Sequence, residues 1–405
     1  MRIGKFGQVN GLTIDTIRHY MDLGLIVPEK KGGQYFFDEV CQKDLEHILE
    51  LKGMGFSLNE IKTISHYKNF GQLTPYEEDT YYQSLFLDKY ENLEHEINNL
   101  MKAKKKLKLK LDELSAKTLE SSSKMGIDLT LLGMLTCHHC NSLLTLKEGV
   151  INRNQIISGK LPCNCGEEYL IESGILMAGK QFKLKNGNQL ENNISKYIHE
   201  TDPLFLENLN KGLHWSKRKL EQMDLHQKVV MELGTGVGFF LRNVYQSLPE
   251  DCLYICVDHN LERHQFLKNL LERSHTKRKF LFICADFLEI PLPHCSVNLL
   301  IDGTGTSNYS FENEEFLLNQ VDSLIKPEGY LLGTYLTFRN FSHKSKIAAG
   351  YRDNFTLNHI KKKINGLRYK TLDEKISDPI TRGGKYEDFF VEGEEVVSYS
   401  FFGKR

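Results

Sequence analysis

A net charge of −1 over 405 residues creates no global positive field, so any contact with a polyanion has to come from a local motif. The 40% hydrophobic and 26% charged content is that of a globular chain with room for roughly two to four domains. No run of about 18 apolar residues is present, which excludes a membrane-spanning helix. No basic-then-apolar start marks a secretion signal. Nine cysteines, four of them in two close pairs, fit metal binding in a reducing compartment better than a disulfide framework, so a cytoplasmic location is expected.

Residues 1–67 alternate short amphipathic helices with a glycine-containing turn at Val9-Asn10-Gly11. Thr13 is a good N-cap for a helix running Ile14-Asp15-Thr16-Ile17-Arg18-His19-Tyr20. Helix, turn, helix is a layout whose second helix can enter the major groove of DNA. Pro28 ends that pattern, Lys30-Lys31-Gly32-Gly33 makes a basic turn, and Tyr35-Phe36-Phe37 suits the returning strand of a wing.

Four stretches, in order, closely resemble the MerR family of transcriptional regulators: Ile3-Gly4-Lys5-Phe6, Thr16-Ile17-Arg18-His19-Tyr20, Leu23-Gly24-Leu25-Ile26 and Gly53-Met54-Gly55-Phe56-Ser57-Leu58-Asn59-Glu60-Ile61. The resemblance covers residues 1–64. It implies a dimer that grips a pseudo-palindromic promoter and distorts an overlong spacer. It also implies DNA contacts, with Asp15 and Thr16 near base edges and Arg18 and Tyr20 on phosphates. The family usually has an arginine in the wing where this chain has Tyr35; Lys30 and Lys31 are the substitutes at hand.

Residues 68–118 are expected as one long helix. Phe86, Tyr90, Leu93, Ile97, Leu100, Lys104, Leu107, Leu111 and Leu114 recur at spacings of four and three, a heptad seam that only Lys104 interrupts. That is the pattern of a coiled coil, and members of the MerR family dimerise through an antiparallel one. The run Lys102, Lys104, Lys105, Lys106, Lys108 and Lys110 reads as a solvated face. The serine-rich stretch from Ser115 to Lys124 reads as a linker.

Residues 129–178 hold Cys137-His138-His139-Cys140 and Cys163-Asn164-Cys165-Gly166. Two close cysteine pairs can supply the four thiolates of a structural zinc ion, and so small a segment would draw its folding energy from the metal. Leu161 to Ile175 resembles the second half of the zinc ribbon in methyltransferase-activator subunits. The second pair is one residue tighter than usual there, so His138 or His139 stays open as an alternative ligand to one cysteine.

Residues 179–405 alternate strand-like and helix-like runs, the strands being Val229–Leu233, Leu253–Val257, Phe280–Cys284 and Val297–Ile301. The first enters a loop with glycines at 234, 236 and 238. Asp258 ends the second, placed to accept both hydroxyls of a ribose. To this point a dinucleotide and S-adenosylmethionine (SAM) are equally served. Glu232-x-Gly234-x-Gly236-x-Gly238, Cys284-Ala285-Asp286-Phe287, the segment Leu288 to Pro293, Leu324 to Tyr330 and a last antiparallel strand at Val396–Phe402 together resemble class I SAM-dependent methyltransferases. The resemblance implies an α/β Rossmann-like seven-stranded sheet. Glu232 belongs to its first motif, Gly234, Gly236 and Gly238 would sit by the methionine, Asp258 by the ribose, and Asp286 and Phe287 by the adenine.

The reacting end follows the fourth strand, in Asp302-Gly303-Thr304-Gly305-Thr306-Ser307-Asn308-Tyr309. Asp302 and Tyr309 are the acid–base candidates, with closure of the pocket as their other reading. His199, Trp215 and Tyr197 lie where the family often places a lid, with packing the commoner role for Trp215. The expectation is a multidomain chain: a winged helix-turn-helix, a coiled-coil helix, a small zinc ribbon and a methyltransferase domain. Its function would be promoter binding as a homodimer, with a SAM-binding effector domain that methylates an unidentified small molecule. A sensor that only binds SAM, or an RNA methyltransferase delivered by the N-terminal domain, are the alternatives.

Overall fold

The computed structural model describes residues 1–115, 124–179, 190–274 and 278–405 and divides into two compact units, Met1–Thr118 and Leu119–Arg405. Most of the serine-rich stretch after Ser115 lies outside the described residues. No described helix is long and apolar enough to cross a membrane.

In the first unit α1 (Ile3–Asn10) stops at Gly11, whose φ of 65° is left-handed. Helix α2 (Ile14–Asp22) starts at Thr13, whose side chain accepts a hydrogen bond from the Thr16 amide at 3.1 Å. The wing is a hairpin of β1 (Glu29–Lys31) and β2 (Gln34–Phe36), turned by Gly32 and Gly33 at positive φ. Asp38 caps α3 (Glu39–Gly53), and a Ser57–Glu60 capping box opens α4 (Leu58–Phe70). Phe6, Ile17, Tyr20, Phe37, Leu45, Ile48, Ile61 and Ile64 form the core of the unit.

Helix α5 (Thr80–Ser115) joins that core only at its start. Phe86 meets Phe56 edge-on at 5.2 Å, and Lys89 pairs with Glu60 at 2.9 Å. That pairing holds the Glu60 carboxyl down at about 2. Further along, the expected seam lies bare: Tyr90, Ile97, Leu100, Leu107, Leu111 and Leu114 are each more than half exposed.

Among the described residues, the second unit is built on one sheet of twelve strands. In chain order the strands are β3 (Ile127–Asp128), β4 (Glu148–Asn152), β5 (Gln155–Pro162), β6 (Glu168–Glu172), β7 (Ile175–Met177), β8 (Val229–Leu233), β9 (Leu253–Asp258), β10 (Lys279–Cys284), β11 (Val297–Asp302), β12 (Ile325–Asn340), β13 (Lys370–Ile376) and β14 (Glu395–Lys404). Strands β10, β9, β8, β11 and β12 are parallel neighbours, and β14 runs antiparallel between β12 and β13. These seven make the Rossmann-like methyltransferase sheet with its antiparallel last strand. Most of the segment Leu324 to Tyr330 lies inside β12 as a bulge, where the pairing with β11 slips between Val297 and Leu299.

The sheet does not end at β10. Strand β7 pairs parallel with β10, and β6, β5, β4 and β3 continue antiparallel. The cysteine-bearing segment thus extends the main sheet. A segment of that size buries too little apolar surface alone. Here Leu135, Leu144, Leu161 and Tyr169 share one core with Leu233, Val257, Ile283 and Leu292.

Helices cover both faces, as alternation along the strands requires. The chain forms α6 (Leu190–Glu200) and α7 (Pro203–Glu221) before β8, α8 (Leu241–Val244) after it and α9 (Leu261–Glu272) after β9. Helices α10 (Gly305–Tyr309), α11 (Leu317–Val321) and α12 (Leu357–Gly366) follow. Trp215 of α7 packs with Val230, Leu241 and Leu267 on one face, whereas Ile360 and Ile364 of α12 cover the other.

Candidate functional site

The carboxyl ends of β8 to β11 line up along one edge. Strand order reverses between β8 and β11, the place where open α/β sheets leave a ligand crevice. The loop leaving β8 turns on three left-handed glycines, Gly234, Gly236 and Gly238, with φ of 67°, 58° and 79°. The amides of Gly234 and Thr235 donate to the Val257 carbonyl at 2.9 and 3.1 Å. The Gly236 amide donates to Asp258 Oδ2 at 2.8 Å, and the Asn260 amide to Oδ1 at 2.8 Å. Asp258 is thereby fixed against the loop, and each of its oxygens keeps a second lone pair for a ligand hydroxyl.

Two residues that the sequence reading passed over complete this edge. A Cβ on Gly234 would lie 3.3 Å from the Cα of Gly305, and one on Gly305 would lie 3.0 Å from the Cβ of Leu233. The loops after β8 and β11 therefore abut backbone to backbone. His264 is fully buried, and its Nε2 lies 3.2 Å from the Asp258 carbonyl and 2.9 Å from that of Ile283. It ties the ends of β9 and β10 together. The glycine in Asp302-Gly303-Thr304-Gly305 was a visible signal for the first; nothing local marks the second.

Asp286 and Phe287 follow β10 and are half-buried, with Asp286 Oδ1 accepting from the Leu288 amide at 2.9 Å. Glu232 and Asp302 are placed differently. Glu232 is 3% exposed and accepts from the Tyr254 hydroxyl at 2.8 Å. Burial first, then the nearby Asp258 charge against the Tyr254 hydrogen bond, leaves its carboxyl pushed up to about 8. Asp302 is 0% exposed and accepts from the Thr306 amide at 3.0 Å, with its carboxyl pushed up to about 6 by burial. Both sit behind the loops. Tyr309, at the end of α10, is half-buried, and burial raises its hydroxyl above the ordinary phenol range. At the rim, Tyr197 of α6 stacks obliquely on Phe239 and Tyr386, with centroids 5.7 and 5.4 Å apart.

The Glu232 value gives a test. Because the folded carboxyl titrates above its ordinary 4.5, its stabilisation is complete below about 4.5 and is lost as pH rises toward 8. Glu232→Gln should match the wild type near pH 4.5 and exceed its unfolding stability at pH 8, by a few kcal/mol at most. Thermal unfolding across that range checks it. A variant that falls below the wild type at pH 8 contradicts the buried, neutral placement.

The four cysteine sulfurs converge. Their Sγ atoms all lie within 4.8 Å of one another, with 3.5 Å between Cys137 and Cys165 and 3.3 Å between Cys140 and Cys163. Four sulfurs at about 2.3 Å from a tetrahedral zinc are spaced like this. Hydrogen bonds from Ser142, and then from the neighbouring thiols, hold the Cys140 thiol down at about 6. His138 is turned away, with Nδ1 2.8 Å from the Tyr169 hydroxyl, which itself donates to Cys137 Sγ at 3.3 Å. The cluster among the described residues is therefore of thiols alone.

On the first unit Asp15, Thr16 and Arg18 project from one side of α2, with Arg18 3.5 Å from Asp15. Lys31 pairs with Glu29 at 2.8 Å, and Lys30 sits over the Tyr35 ring at 5.5 Å. Tyr20 is 1% exposed; its ring is core, and Lys52 reaches its hydroxyl at 3.4 Å.

This unit matches the family model described as MerR HTH family regulatory protein over residues 1–75. Residues 1–75 form a MerR-family helix-turn-helix domain. The HTH-type transcriptional regulator ZntR homolog of Haemophilus influenzae is 34% identical over 71 residues, covering 17% of this chain and 53% of that protein. HmrR of Rhizobium leguminosarum bv. viciae is 35% identical over 65 residues, 16% of this chain and 50% of that one. For nodulation protein NolA of Bradyrhizobium elkanii the figures are 33% over 63 residues, 15% and 29%. The chain thus spans about half or less of each relative, within its MerR-type domain. Among solved structures, the MccD protein aligns with a TM-score of 0.37 at 12% identity, over 47% of this chain and 96% of that one. A SAM dependent methyltransferase from Aquifex aeolicus aligns with 0.34 at 16%, over 51% and 97%. Those scores are low, and the methyltransferase-type fold rests here on the strand order itself.

Proposed function

We propose that this chain is a dimeric, promoter-binding transcriptional regulator whose C-terminal half binds SAM and methylates a small molecule. The observation that carries the reading is the 234–238 glycine loop braced on Asp258 at the strand reversal, on one chain with a MerR-family head. SAM supplies an electrophilic methyl group. Around it Gly234, Gly236 and Gly238 admit the methionine end, Asp258 accepts the ribose hydroxyls, and Asp286 with Phe287 meets the adenine. Asp302 is a positioning residue, holding the start of α10 so that Gly305 abuts Gly234. Tyr309 stays neutral and can hydrogen-bond an acceptor. Asp302 is buried behind the loops, out of reach of an acceptor, and Tyr309 keeps its proton, so the acceptor is one whose attacking atom already has a free lone pair.

The first unit reads DNA through α2, with Asp15 and Thr16 toward bases, and Arg18, Lys30 and Lys31 toward phosphates. Dimer formation covers the bare seam of α5. The helix is acidic in its first half, at Asp88, Glu91, Glu94 and Glu96, and basic in its second, from Lys102 to Lys110. That polarity favours an antiparallel pair. Zinc fits the four thiols in a closed structural site, with Tyr169 as the outer hydrogen-bond donor.

Calorimetry tests the crevice. SAM and S-adenosylhomocysteine should bind and NAD should not. Asp258→Ala should weaken binding by roughly 1.5–3 kcal/mol, as expected for a charged hydrogen-bond acceptor. Binding of NAD without SAM would overturn the reading.

A further inference from the structure

We infer that metal at the four-cysteine site sets the affinity of the cofactor crevice, so that the C-terminal half answers to a thiophilic divalent cation as well as to SAM. This rests on the reading that the crevice takes SAM and the thiols take zinc, and adds a coupling between them. Backbone hydrogen bonds join the two sites. Thr136, next to Cys137, donates its amide to the Pro291 carbonyl at 3.2 Å. Ala178 donates to the Cys284 carbonyl at 3.0 Å, just past the β7–β10 pairing of Met177 with Cys284. Between those anchors runs the 285–291 loop with Asp286 and Phe287.

The packing agrees. Ile290 and Leu292, at either side of Pro291, are buried in the same core as Leu135, Cys137, Leu144 and Leu161. Gly179 leaves β7 with a φ of 65°, against Glu289; a Cβ there would fall 1.4 Å from the carboxylate. The loop that would seat the adenine thus has the cysteine segment as its back wall.

That wall has little regular structure of its own. Between Leu129 and Leu146 it holds one 3-10 helix, Leu129–Met134, and one bridge, Thr136 to Leu143. In so small a segment, metal binding is folding free energy. Removing the metal releases the 137–142 turn, and with it the Thr136 amide that pins Pro291. By linkage the reverse holds: a ligand seated on Asp286 and Phe287 favours the metal-bound wall.

The direct test uses wild-type full-length protein and a zinc chelator of known affinity, with and without saturating S-adenosylhomocysteine. The nucleoside should raise zinc affinity about fivefold or more, and metal-stripped protein should bind it weaker by the same factor until zinc is restored. Thr136→Pro separates wall from metal. Leu135 already has φ −93° and ψ 119°, a conformation that suits a residue before proline. The variant should keep its zinc and still bind S-adenosylhomocysteine at least about fivefold less tightly. Zinc affinity indifferent to S-adenosylhomocysteine overturns the inference and leaves the SAM reading intact. If zinc-loaded protein fails to bind S-adenosylhomocysteine at all, the SAM reading falls and the inference with it.

Discussion

Gly238→Ala should destabilise the second unit by roughly 2–5 kcal/mol and abolish cofactor binding. The added Cβ would fall 2.4 and 2.9 Å from the two methyl carbons of Leu267 in α9, on a backbone at φ 79°. The left-handed conformation costs an alanine about 1–2 kcal/mol. Overpacking a core costs about 1–3 kcal/mol more. Gly236→Ala makes the informative contrast. Its Cβ meets nothing closer than 3.8 Å, so only the conformational cost of about 1–2 kcal/mol applies. That Cβ nonetheless stands over the loop where a ligand's backbone approach is needed. Denaturant unfolding and calorimetry on both variants should therefore split: Gly238→Ala loses stability and binding, Gly236→Ala loses mainly binding. A Gly236→Ala protein that binds SAM like the wild type would mean the loop is only a sheet-end turn.

The second large effect lies on α5. Ile97 is 55% exposed at the middle of the bare seam. In a monomer, Ile97→Asp there would change stability by no more than about 0.5 kcal/mol. In a paired helix it buries an unpaired charge, which is strongly destabilising. The variant should sediment as a monomer. Its affinity for a pseudo-palindromic operator should fall on the order of 100-fold, because two half-sites are no longer gripped together. Wild-type protein that sediments as a monomer, or a variant that holds the operator as tightly, contradicts the dimeric reading.

The Thr13 cap, the wing and the four strands from Val229 to Asp302 were legible because each is set by local chemistry: a capping side chain, a Gly-Gly turn, runs of β-branched and aromatic residues. The glycine loop and Asp258 were legible for the same reason. Tyr20 shows a limit that periodicity could have lifted. It lies three residues after Ile17 on α2 and so shares its buried side, although the resemblance had suggested a phosphate contact. The reach of the sheet was not legible. The pairing of β7 with β10 joins residues about a hundred apart, and no local pattern encodes which edge a short strand will extend. The inward turn of Glu232 was hidden likewise, since its partner Tyr254 lies on the neighbouring strand β9, whereas Asp302 has a local partner in the Thr306 amide and is buried by the elements packed over it.

The central claim is that one chain joins operator binding to SAM binding. A ligand shifts a regulator only through unequal affinity for its two states, and the coupling is reciprocal. The direct measurement is the affinity of the dimer for SAM and S-adenosylhomocysteine, with and without saturating operator DNA. The account predicts that operator changes at least one of the two affinities by about fivefold or more, roughly 1 kcal/mol. Identical affinities in every pairing would mean two independent machines on one chain, and would contradict it.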